Sequence, residues 1–204
     1  MQDNNSKQVL LSVLGVAILV VAVVGVSFAA FSYSKTGEKV NTITTGTITM
    51  SYSEGENAIN LSNALPMSDE QGKALSGDNN VFDFTVSATI QGSGTTTINY
   101  AITATKETTS DLPDDAVKVY LTNSSDTAVT GYETPKKVST LTKTTSGEAS
   151  GAPSDQYILH KGTYQATTTD QYHLRMWVAD DYSITGTSKT FKLRVNVYGA
   201  AAAQ

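Results

Sequence analysis

From Phe82 to Ile90 every second residue is apolar: Phe82, Phe84, Val86, Ala88 and Ile90 alternate with Asp83, Thr85, Ser87 and Thr89. A period of two puts one set on each face of an extended chain, so the segment reads as a strand with one buried and one wet face. The pattern recurs. Ile98, Tyr100, Ile102 and Ala104 carry it, as do Val117, Val119 and Leu121. Tyr172, Leu174, Met176 and Val178 alternate with His173, Arg175 and Trp177; Phe191, Leu193, Val195 and Val197 alternate with Lys192, Arg194 and Asn196. Residues 41–53 carry the same signature, with Ile48, Met50 and Tyr52 on one parity. Helical periodicity is nearly absent after residue 31. Residues 67–75 could form a turn or two of helix, weakened by Gly72.

Turn signals separate the strands. Gln91-Gly92-Ser93-Gly94 is expected to join 82–90 and 98–104 as a hairpin. The polar run Asn123-Ser124-Ser125-Asp126 closes the 117–121 strand. Seven to nine short strands of this kind predict an all-β fold, a jelly-roll-like antiparallel β-sandwich over residues 41–199. The stretches 62–80, 106–115 and 146–155 read as long loops within that one domain. Residues 200–204 read as a flexible tail.

The chain has 204 residues, thirty of them threonine, with 16% charged and a net charge of −5. Soluble domains carry about 25% charged residues, so this surface leans on uncharged hydroxyls. An acidic balance disfavours nucleic acid, which needs a basic face. The absence of cysteine from the sequence rules out disulfides, thiolate chemistry and Cys-ligated metal centres.

Residues 9–31 are uninterrupted by charge. As a helix the run would be roughly 35 Å long, enough to cross a hydrocarbon core of about 30 Å. Residues 1–29 therefore read as a signal peptide or a single membrane-spanning helix. Small residues at Ser27 and Ala29 suit cleavage between Ala29 and Ala30. The length of the apolar run and the single basic Lys7 before it suit a retained anchor instead. Either way the remainder is exported, extracellular or on the cell surface.

Ser27-Phe28-Ala29-Ala30-Phe31-Ser32, the 41–48 segment with its Gly46-Thr47 pair, Ile59-Asn60-Leu61-Ser62-Asn63 and Leu65-Pro66 resemble corresponding elements of the TasA/camelysin family of secreted biofilm-matrix fibre proteins. Phe82-Asp83-Phe84 and 191–197 sit where strands of that family would fall, and other stretches are similar to uncharacterised exported proteins of Firmicutes-type bacteria. The resemblance implies a jelly roll, secretion and polymerisation into fibres. One family member is assigned metalloprotease activity, for which this chain lacks the H-E-x-x-H pattern.

Few residues suggest chemistry. His160 and His173 are the only histidines, both in predicted strands, and both read as surface residues. Asp114-Asp115 and Asp180-Asp181 read as turn residues, since neighbours on an extended chain point to opposite sides. Arg175 and Trp177 share a strand parity and read as a surface contact, either a cross-strand packing pair or a subunit contact, in preference to a sugar-stacking site. No catalytic residue, metal or cofactor is expected, and the chain is not expected to be an enzyme.

Assembly is the expected role. After cleavage, Ala30 would open a segment (30–40) in which Phe31 and Tyr33 share one face, able to add as a donor strand to the sheet edge of another copy. The expected partners are copies of the chain itself, with the membrane contacted through residues 9–31 before processing. The alternative keeps the helix uncleaved, as a membrane-anchored adhesin or minor capsid component.

Overall fold

A computed structural model describes residues 32–36, 43–45, 48–55, 59, 64–91, 96–184 and 189–202. The apolar run at 9–31 lies outside these, so the expected helix and the cleavage pair Ala29 and Ala30 do too. Among the described residues, no helix is long and apolar enough to cross a membrane. Residues 33–204 form one compact unit.

The strands follow the alternation. They are β1 (Ser32–Thr36), β2 (Ile43–Thr45), β3 (Ile48–Glu54), β4 (Val81–Ile90), β5 (Ile98–Lys106), β6 (Val117–Asn123), β7 (Lys136–Lys137), β8 (Tyr157–Tyr164), β9 (Thr168–Val178) and β10 (Leu193–Ala201). Among the described residues one short α-helix, α1 (Asp69–Lys73), stands with them. The strands make two sheets, ordered β1-β10-β5-β8 and β2-β3-β4-β9-β6-β7. The β10–β5, β5–β8, β2–β3, β3–β4, β4–β9, β6–β9 and β6–β7 pairs are all antiparallel. The protein is therefore all-β.

The sheets face each other as in a sandwich. Met50, Tyr52, Phe84, Val86, Ile98, Ile102, Leu121 and Val197 are buried, and large apolar side chains of this kind contribute about 1.5–3 kcal/mol each. A Cβ on Gly199 of β10 would lie 2.0 Å from the Met50 sulfur of β3, so the two layers meet where glycine leaves room.

The expected hairpin between 82–90 and 98–104 is not formed. β4 lies between β3 and β9, whereas β5 lies in the other sheet between β10 and β8. Alternation reports which face is buried, not which strand lies alongside. The 41–53 stretch is likewise two strands, with Ile43 opposite Met50 and Thr45 opposite Ile48. Nor is the whole of 200–204 a loose tail: Ala200 and Ala201 pair with Asn99 and Ile98, and the Ala202 amide donates to the Thr97 carbonyl at 2.8 Å.

Loops roof the outer faces. Over the four-stranded sheet, Ala152 packs with Ala101 and Tyr198, and the Gln156 amide donates to the Tyr198 hydroxyl at 2.9 Å. The glycine-rich 146–155 stretch is thus part of this domain. Over the six-stranded sheet lies the 64–80 segment. Its helix α1 starts at a capping box in which the Gln71 amide donates to the Ser68 hydroxyl and the Ser68 amide to the Gln71 side chain.

Candidate assembly site

Tyr33 lies in β1, which hydrogen-bonds to β10 at the edge of the four-stranded sheet. Its companion in the expected donor segment, Phe31, lies outside the described residues.

Beside the N-terminal part of β10 the two layers part to leave a groove of about 560 Å³. Phe82, Leu174 and Met176 line it from the six-stranded sheet, and Phe191, Leu193 and Val195 from the β10 side. Glu54, Glu107, Lys192 and Arg194 contribute charge, with the Arg194 Nε donating to Glu107 at 2.8 Å. The alternation of Phe191-Lys192-Leu193-Arg194 signals one apolar and one charged side. It carries no sign that the apolar side opens onto Phe82 and Leu174, more than a hundred and about twenty positions away, so the groove was invisible in the sequence.

From the groove a row of rings runs into the sandwich. Phe82 stacks on Phe84 at 5.7 Å, and Phe84 on Tyr172 at 5.3 Å. The Tyr172 hydroxyl shares a hydrogen bond of 3.1 Å with Tyr100 across the layers, and Tyr100 stacks on Tyr164 at 4.3 Å. The Tyr164 hydroxyl donates to Asp170 at 2.9 Å. Burial first, and then neighbouring groups including Tyr100 and Asp170, push the Tyr164 and Tyr172 phenols well above the usual range, so both stay neutral.

His160 is half-buried and its ring joins this row instead of standing on the outer face. Its ring lies 5.8 Å from that of Tyr100 and 6.2 Å from that of Tyr172. The cause is an irregularity in the β5–β8 ladder: Ile102 pairs with His160, yet Thr103 pairs with Ile158. A bulge of this type re-aims side chains beyond it. Burial lowers the His160 pKa, with Asp170 opposing. His173 sits on the outer face as expected, bonded through Nδ1 to Asp83.

Arg175 and Trp177 are not a surface contact. They share an outer-facing parity, but Arg175 is 6% and Trp177 1% exposed, because the 64–80 segment covers them. A Cβ on Gly72 would lie within 2.5 Å of the indole ring. Arg175 donates to the Leu75 carbonyl (2.8 Å), the Thr122 hydroxyl (3.1 Å) and Asp126 (2.8 Å). The side chain that looked like a docking group is a clasp between the roof and the 123–126 turn.

Three carboxylates of the two acidic pairs are engaged in structure. Asp114 accepts from Lys106 and Tyr157, Asp180 from Lys118, and Asp181 from Lys137. Among the described residues, no three His, Asp or Glu side chains gather closely enough to hold a metal ion. What the site offers is an apolar slot with a charged rim beside β10, the strand that neighbours the edge strand β1. No family model, curated protein or solved structure matches the chain.

Proposed function

We propose that this chain is the subunit of a secreted extracellular fibre, a jelly roll of the TasA/camelysin kind that polymerises by exchange of its N-terminal strand. The strand order supports the jelly roll. β1 neighbours β10, β4 pairs with β9, β5 with β8, and β6 with β7. That nesting is what results when one long hairpin wraps around a core, with β2–β3 added at the β4 edge.

The observation that carries the assembly reading is the position of β1. It is the first described strand, it stands at a sheet edge, and β10 is its neighbour there. An element attached on one side only can be supplied by another copy without new contacts having to be invented, as in domain swapping. Phe31 and Tyr33 of the incoming segment supply two apolar rings, and the Phe82–Leu193 groove is an apolar space beside β10 of a size to take them. Each ring buried there contributes about 2–3 kcal/mol. A head-to-tail contact of this kind does not close on itself, so it propagates as a filament.

Replacement of both Phe31 and Tyr33 by Ser is expected to leave a secreted but unassembled protein under negative-stain electron microscopy, where the wild type shows fibres. Fibres that persist without either ring refute strand exchange. N-terminal sequencing of the same wild-type material should begin at Ala30; a start at Met1 would favour a membrane-anchored surface protein.

A further inference from the structure

The outer face of the six-stranded sheet is divided in two. Over β6 and the C-terminal half of β9 lies the 64–80 roof, with Arg175 and Trp177 beneath it. Over β3, β4 and the N-terminal half of β9 the register builds a grid. Thr49 stands opposite Thr89. In the next row Ser51 stands opposite Ser87, and Ser87 opposite Thr169. In the third, Ser53 stands opposite Thr85, and Thr85 opposite Gln171. The β3 and β4 members are half-buried, and Thr169 and Gln171 are exposed. Seven hydroxyls and one amide make up the three rows, and charge returns only in the fourth, with Asp83 opposite His173.

We propose that this hydroxyl grid is a self-association surface, on which a second copy of the chain stacks through its own identical grid. Charge is the first argument. Copies with a net charge of −5 repel one another, and a patch without charge is where they can approach. Hydrogen-bonding capacity is the second. A hydroxyl both donates and accepts, so a grid of hydroxyls complements itself in either sheet orientation. The third is entropy: serine and threonine lose little rotamer freedom when a partner covers them, unlike the lysines and glutamates of an ordinary wet face. Finally, the grid is regular, about 4.8 Å between strands and about 6.7 Å along them, and rigid, with the Ser87 and Thr169 hydroxyls 3.1 Å apart. Two such faces interdigitate as small polar side chains do between stacked sheets.

This contact differs from strand exchange, which extends a filament; face stacking ties copies or filaments side by side. Ser87→Lys places a long cation in the middle row. In sedimentation equilibrium of the full secreted chain, the variant should self-associate at least tenfold more weakly than the wild type, with an unchanged near-ultraviolet circular dichroism spectrum. Where filaments form, those of the variant should lie singly while wild-type filaments pair. Thr169→Glu, at an exposed position of the same row, gives the same readout and decides the matter if Ser87→Lys does not fold. A folded variant that associates like the wild type overturns the proposal, as does a wild type that shows neither concentration-dependent association nor paired filaments. Pelleting of such a non-associating wild type with insoluble cellulose, abolished by Ser87→Lys, would assign the face to a neutral polysaccharide instead. A wild type that forms no filament counts against strand exchange alone, since sedimentation still reads the grid.

Discussion

Trp177 is the only tryptophan in the chain, and its fate turns on a glycine. Gly72 faces the indole so closely that a methyl group would fall 2.2–2.5 Å from three ring carbons. On an exposed helix, alanine in place of glycine gains about 1 kcal/mol. Here the sign reverses, because the indole is rigid and 1% exposed and has nowhere to move. Gly72→Ala is expected to destabilise the domain by about 1–3 kcal/mol, as overpacking does. Urea denaturation followed by Trp177 fluorescence checks it; a variant as stable as the wild type would mean that the roof is not seated on the ring. The same pair shows how far side-chain periodicity reaches. Alternation assigned Arg175 and Trp177 correctly to the outer parity of β9. It could not show that a segment with hardly any periodicity, a hundred residues earlier, lies over them. Gly72 looked like a flaw in a weak helix, when it is the residue that lets α1 approach.

Strands as elements were legible wherever one face is wet. β4, β6 and most of β9 announce themselves because apolar and polar residues divide the two faces. The C-terminal end of β10 does not: Gly199-Ala200-Ala201 carries neither β-branched residues nor alternation, and it is held by pairing with β5. Its amides and carbonyls complete an inner strand, with β1 on the other side. Deletion of residues 199–204 removes three cross-strand positions and the Ala202–Thr97 hydrogen bond. At about 1 kcal/mol net per hydrogen bond the truncation should cost about 2–4 kcal/mol. Thermal unfolding of the truncated protein should show a clearly lower midpoint, whereas a true tail would leave it unchanged. Partner choice between strands was the least legible property. The glycine-containing link after β4 suggested a hairpin, but it connects two sheets. The donor segment was readable as a strand candidate from Phe31 and Tyr33, while the groove beside β10 depends on residues from five separate stretches of chain.

For the whole molecule, the nested pairing of distant strands makes stability a collective property, and its pH dependence separates into two steps with different origins. His160 sits between the layers with its pKa held below 6.5 by burial. When pH falls below about 6.5, the unfolded chain takes up a proton at this residue before the folded one does, so stability drops from that point toward the folded pKa. The carboxylates act lower. Hydrogen bonds and charge from Arg175 hold Asp126 below its ordinary 3.8, and Lys161 holds Glu148 below 4.5. Their contributions are complete above those values and are lost as pH falls through the folded ones. Asp126 is exposed enough that its pair with Arg175 counts for little. His160, which faces Tyr100 and Tyr172 with Asp170 as the nearby charge, should dominate the upper step. Urea midpoints of the wild type should therefore decline between pH 7 and pH 5, and those of His160→Gln should stay level across that window and decline only below it. A wild-type profile as flat as the variant's would mean that the imidazole titrates freely, and so that the bulge in β8 does not turn it into the sandwich.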